Sequence, residues 1–238
     1  MYGLGTIVNV LAIVLGGLAG LFMKNVMTRP MREAVLKGTG VSVLFIGMSG
    51  ALSRMLVPDG GALSTSGTML VILSLALGGA AGGLIDIDRR VESFGEWLKK
   101  KTGSQNDGGF LDAFVSASLT VCIGAMAVVG SLQDGISGDH ATLFAKALLD
   151  AIIIMIMAAS MGKGALFSAI PVGLFQGSVT LLARFVEPLM TSAATADLSM
   201  VGGVLVFCVG VNLVWERRIP VANLLPSVVF AVALSYII

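Results

Sequence analysis

Lys146 and Asp150 are an amine and a carboxylate four residues apart inside the otherwise apolar run Thr142–Met161. On a helix that spacing puts both on one face, where they can neutralise each other. At a rise of about 1.5 Å per residue, Asp150 lies about 12 Å inside the run. A carboxylate held at that depth in hydrocarbon faces a bundle interior or a water-filled cavity. There it can bind a cation, or take and release a proton as Lys146 moves. The plainer alternative is a static ion pair that fixes helix packing.

Other polar residues interrupt apolar runs. Ser168-Ala169-Ile170-Pro171-Val172-Gly173 precedes Gln176. Pro171 removes one amide donor and displaces the carbonyl near Phe167, so a kink or short unwound stretch is expected there, with Gln176 near mid-membrane. Ser116 and Thr120 share a face, with Gly124, Gly130 and Ser131 further along. Their hydroxyls can admit a hydrated ion or bond back to their own helix. Asp134, Asp139 and His140 form either an acidic vestibule or an ordinary exposed turn, and the carboxylate spacing does not match a calcium loop. Asn9 and Asn212 are lesser candidates, and Asn223 with Pro226 repeats the proline theme or caps a helix.

Several chemistries are excluded. One histidine rules out a multi-histidine metal centre. Cys122 and Cys208 both sit in apolar runs, which makes a disulfide or zinc site improbable. No Ser/His pairing and no His-Glu-x-x-His run is present, and Asp150 is the only aspartate well inside an apolar run, so no enzyme, cofactor or metal is expected. A net charge of +1 argues against nucleic acid as a partner.

The elements that position these residues follow from composition. Of 238 residues, 56% are apolar and 12% charged, and the mean hydropathy is +0.95. An ordinary soluble domain carries roughly 25% charged residues. The fold expected is therefore all-α, a single membrane-embedded helix bundle over 1–238. Spanning hydrocarbon takes about 20 apolar residues, and eight runs qualify: Gly3–Met23, Gly38–Val57, Thr68–Ile85, Phe110–Leu132, Thr142–Met161, Ala165–Val186, Leu198–Trp215 and Val221–Ile238. Only Met1 and Tyr2 precede the first, so it is read as a span and not as a cleaved leader.

Orientation follows from the basic residues. Lys24, Arg29, Arg32, Lys37, Arg89, Arg90, Lys99–Lys101, Lys163 and Arg217–Arg218 occupy alternate connections and make twelve of the fifteen lysines and arginines. The other side and the helices hold Arg54, Lys146 and Arg184. That asymmetry puts these connections in the cytoplasm and both termini outside. Trp97 and Trp215 then mark the inner interface, Tyr2 and Tyr236 the outer one. Between residues 86 and 109, Ile87, Val91, Phe94 and Leu98 recur at helical spacing before Lys99–Lys101. This reads as a cytoplasmic amphipathic helix on the inner leaflet, or a solvated connector, followed by the flexible linker Ser104–Gly109.

Thirty-one glycines suit helices packed closely in lipid. Leu15-Gly16-Gly17-Leu18-Ala19-Gly20 resembles Leu77-Gly78-Gly79-Ala80-Ala81-Gly82, and both read as packing faces, within one chain or across a homo-oligomer. Gly40 to Gly47 and Gly203 to Gly210 share a spacing of seven on spans of opposite sense, a hint of an inverted repeat.

The opening Gly5–Ile13, the run Ala125–His140, Lys146–Asp150, Phe167–Pro171 with Gln176-Gly177, and Asn223–Pro226 together resemble the YdfK/YqgA-like bacterial membrane proteins, over essentially the whole chain. The resemblance implies a bacterial inner-membrane location and little about activity, since that family is one of unknown function presumed to include transporters. Asp134, Asp139, Lys146, Asp150, Pro171 and Gln176 all lie in the family-like stretches. The expected function is transport or conduction of a small solute or ion, H+ or Na+ coupled, at a polar site on the fourth to sixth spans. The alternative is a membrane scaffold or regulatory subunit.

Overall fold

The protein's structure is a computed structural model describing residues 2–24, 26, 28–59, 61–104, 108–122, 125–136, 138–215 and 219–237. Met1, Gly124, Ser137 and Arg217–Arg218 lie outside the described residues.

The architecture is an all-α membrane bundle. Helices α1 (Leu4–Lys24) and α2 (Arg29–Met55) are followed by a hairpin of strands β1 (Leu56–Asp59) and β2 (Ala62–Thr65), paired Leu56 to Thr65 through Asp59 to Ala62. The second run was expected to stay helical to Val57; Pro58, with no amide to donate, and the glycines after it favour a turn instead. Next come α3 (Thr68–Ile85), α4 (Ile87–Lys101), α5 (Phe110–Cys122), α6 (Ala125–Ile136) and α7 (Ala141–Met161). A 3₁₀ turn (Lys163–Ser168) leads into α8 (Ala169–Leu181), and α9 (Ala183–Val186), α10 (Ser192–Trp215), α11 (Val221–Leu224) and α12 (Pro226–Leu234) complete the chain.

Among the described residues, six segments are long and apolar enough to cross a membrane, counting Lys163–Leu181 as one, and α5 with α6 makes a seventh, bent by 60°. The eighth expected span is shorter: Val221–Leu234 is divided at Pro226, which stands where α12 begins. Large apolar side chains point outward in a way water would not tolerate, Leu84 at 89% and Leu181 at 85% exposure, and lipid is the medium that suits them.

Glycine faces set the helix pairing. A Cβ at Gly16 or Gly20 of α1 would collide with the Ala151 or Met155 carbonyl of α7, and the register of these contacts makes the two helices parallel. Gly78 and Gly82 of α3 meet Ser227 and the Asn223 carbonyl. Gly47 packs on Gly203, and Gly210 on Leu44 and Gly40, so the two glycine pairs of equal spacing close on each other across antiparallel α2 and α10. All these faces are used within one chain.

The centre is α5, with Phe110, Ala113, Phe114, Ala117 and Val121 at 1% exposure or less. Helix α4 starts at Asp86, whose side chain accepts from the Arg89 amide. Its apolar face turns toward this centre and not wholly toward lipid: Leu98 is buried, Gly95 abuts Phe114 and Leu111, and Phe94 lies 6.0 Å from the Phe114 ring. Trp97 stacks on Phe94 and stays exposed.

Candidate functional site

Two positions differ from what the sequence suggests, and they define the site. The fourth apolar run was expected to be one helix; its described parts, α5 and α6, are bent by 60° to each other. Pro171 was expected to break the sixth; it occupies the first turn of α8, where a missing amide is harmless, and the preceding residues are wound as a 3₁₀ turn. Of these two runs, the one that is sharply bent is therefore the one without a proline.

A helix that ends in mid-bundle leaves carbonyls without amide donors. One of these, the Val121 oxygen, accepts from Lys146 Nζ at 2.8 Å. The same amine pairs with Asp150 Oδ2, so Lys146 ties the end of α5 to α7. Both residues are buried, at 6% and 4% exposure. Asp150 Oδ2 also accepts from Asn9 Nδ2 at 3.0 Å, and Asn9 Nδ2 donates to Gln176 Oε1 at 3.1 Å. One amine, one carboxylate and two amides from α1, α7 and α8 thus meet a severed helix end. The positive ammonium lies where the dipole of α5 places partial negative charge. Asn9 Oδ1 and Gln176 Nε2 have no protein partner.

Four of the predicted residues, Asn9, Lys146, Asp150 and Gln176, are brought together here. Pro171 instead lines an apolar cleft of about 710 Å³ with Phe114, Cys122, Phe175 and Val228. Thr120 bonds back to the Ser116 carbonyl at 2.7 Å. Ser116 lines a polar cavity of about 950 Å³ with Glu33, Lys37, Asp112, Asn212 and Trp215, which reaches inward to Leu119, two residues from the Val121 carbonyl.

At the opposite end of the bundle, Asp134 is neither a vestibule nor an exposed turn. It is fully buried, accepts from the Gly3 and Gly5 amides at 3.1 Å, and is 2.7 Å from His140 Nδ1. It caps the start of α1, where the helix dipole favours an anion. Asp139 is exposed and accepts from the Ala141 amide at 3.0 Å, a cap for α7. Asn212 braces Ile219 through both its amide and its carbonyl, and Asn223 accepts from the Asp88 amide. Thr6 and Thr180, buried and with orphaned hydroxyls, were missed; Ser131, noted in the sequence, is buried with an orphaned hydroxyl too. The available signal was helical spacing: each is three or four residues from Asn9, Asp134 or Gln176.

The family model for a protein of unknown function, DUF554, matches residues 4–236. The chain belongs to the DUF554 family. Within DUF554, it is 25% identical over 234 residues to the uncharacterized membrane protein YdfK of Bacillus subtilis, covering 98% of this chain and 96% of that one. It is 26% identical over 239 residues to the uncharacterized protein YqgA of Escherichia coli, with the same coverage. No solved structure matches.

Proposed function

We propose that this DUF554 protein transports or conducts a small solute or ion across the bacterial cytoplasmic membrane, with H+ or Na+ coupling through Asp150. The observation that carries this reading is the buried Lys146–Asp150 pair at the severed end of α5, joined by amides that still have unused polar atoms. Ionisable groups inside a membrane are kept where they act, and severed helix ends are where transporters place charge. Neutralising Asp150 with a proton or a cation weakens its hold on Lys146. The amine is then free to leave the Val121 carbonyl, and α5 and α6 can rearrange about their break.

The polar cavity supplies a route from one end of the bundle as far as Leu119. The other end is closed by Asp134 against the start of α1. Lys24, Lys37, Lys99–Lys101 and Lys163 gather at the cavity end, which on the charge rule is cytoplasmic and puts both termini outside. No catalytic step and no cofactor belong to this reading.

Purified protein in liposomes, with a pH-sensitive dye inside and an imposed Na+ or pH gradient, is expected to show flux that Asp150→Asn abolishes while the variant still folds. Unchanged flux in that variant removes Asp150 from the mechanism. The closed state of the ion pair favours a second reading, a membrane scaffold, for which a single stoichiometric partner in a pull-down and no flux are the expected results.

A further inference from the structure

The apolar cleft that holds Pro171 is walled by α4, α5, α8, α10 and α12, with Val128 of α6 at the end away from α4. It opens sideways at α8 and α12, where Leu174 and Val229 line it at 66% and 71% exposure. Its wall on α5 runs from Phe114 to Cys122, about 12 Å of helix. That is most of one leaflet of a hydrocarbon core about 30 Å thick.

Among the described residues, Arg90 of α4 is the one charged side chain that lines the cleft, and no carboxylate does. Its Nε donates to the Ile85 carbonyl at 3.1 Å, which anchors the guanidinium, and no described carboxylate pairs with it. One turn along α4, the Phe94 ring lies 6.0 Å from that of Phe114, and Ser118 follows one turn further along α5. Ser118 is buried and its hydroxyl has no partner, although Thr120 on the same helix bonds back to the Ser116 carbonyl. Of the orphaned buried serines, Ser118 is the one that lines this cleft. An anchored cation, a hydroxyl and a hydrocarbon wall thus follow one another from α4 inward.

We infer that the cleft is a binding site for one anionic phospholipid of the leaflet on which α4 lies. A cation without a counter-charge at the end of an apolar cleft selects an anion that carries hydrocarbon. Guanidinium matches phosphate with two parallel N–H donors, and basic pockets between spans are where membrane proteins hold anionic headgroups. With no carboxylate lining the cleft, nothing there receives the ammonium of a zwitterionic headgroup. The phosphate lies at Arg90, and Ser118 donates to an acyl ester, the acceptor that a phospholipid carries below its phosphate. One chain follows α5 past Cys122 to Val128, and the other stays in the bilayer through the side opening. The occupant thereby touches both arms of the bent span. The inference is independent of the transport reading, because occupancy is measured without flux.

Native mass spectrometry of the detergent-purified full-length protein, titrated with phosphatidylglycerol or phosphatidylcholine of the same chains, tests the site. The first phosphatidylglycerol is expected to bind about tenfold more tightly, as a charge-assisted contact implies. Arg90→Gln is expected to erase that preference, while Arg89→Gln, at an exposed neighbour that does not line the cleft, is expected to keep it. Ser118→Ala is expected to weaken binding about threefold while melting no lower than wild type, since it removes an orphaned hydroxyl. Phosphatidylglycerol carrying a photoactivated diazirine at its chain end is expected to label Cys122 or Val128. Equal affinity for the two lipids, a loss shared by Arg89→Gln and Arg90→Gln, or unchanged binding in Ser118→Ala overturns the site. So does tighter binding of a free fatty acid than of phosphatidylglycerol, or labelling confined to the exposed rim at Leu174 and Val229, where lipid gathers around any span.

Discussion

Removing the amine of Lys146 while leaving Asp150 in place isolates a carboxylate among buried neighbours. Breaking one partner of a buried pair costs about 3–5 kcal/mol, whereas replacing both by apolar groups of similar volume is often neutral. Lys146→Met is therefore expected to lower stability by that amount in chemical unfolding of the detergent-solubilised protein. The double variant Lys146→Met, Asp150→Leu is expected to regain most of it while remaining silent in flux. If Lys146→Met unfolds like wild type, water already solvates Asp150. At this scale the sequence was informative about which residues matter and silent about whom they meet. Lys146, Asp150, Asn9 and Gln176 stand out because charge and amide groups are conspicuous in apolar runs. Asn9 and Gln176 bond across 167 positions, a relation no local pattern encodes. Thr6 and Thr180 were overlooked because a hydroxyl in lipid ordinarily bonds its own helix.

Adjacent glycines on α3 have opposite duties. A Cβ at Gly82 would collide with the Asn223 carbonyl, while one at Gly83 meets nothing within 4 Å. Gly82→Ala is expected to destabilise by roughly 1–3 kcal/mol through overpacking. Gly83→Ala is expected to be neutral or to stabilise by up to about 1 kcal/mol through helix propensity. Melting temperatures of the two single variants check this, and equal effects would mean α3 does not pack on α11 and α12. The glycine spacing was legible as packing faces, though not which helices they join. The helix interruption was misplaced for a physical reason. Proline breaks a helix only where its amide is needed, and Pro171 stands in a first turn. The interruption that matters, after Cys122, carries no proline, and the buried amine that donates to the Val121 carbonyl comes from another helix.

At the scale of the whole molecule, the order of spans and the burial of Lys146 and Asp150 came from hydropathy alone, because lipid demands long apolar helices and penalises charge. Which end faces the cytoplasm rests on the distribution of lysine and arginine. It is testable at half-buried Ser64 on the β hairpin and exposed Lys100 at the end of α4. They sit at opposite ends of the bundle: Gly67 after the hairpin lies on Met200, in the first half of α10, whereas α4 begins beside Asn223. In a background with Cys122 and Cys208 replaced by alanine, Ser64→Cys is expected to react with a membrane-impermeant maleimide in intact cells. Lys100→Cys is expected to react only after the membrane is opened. The reverse pattern would turn the molecule over, so that the polar cavity opens outward and the orphaned hydroxyls of α1, α6 and α8 lie toward the cytoplasm. The labelling experiment thus decides the direction from which the buried pair is approached.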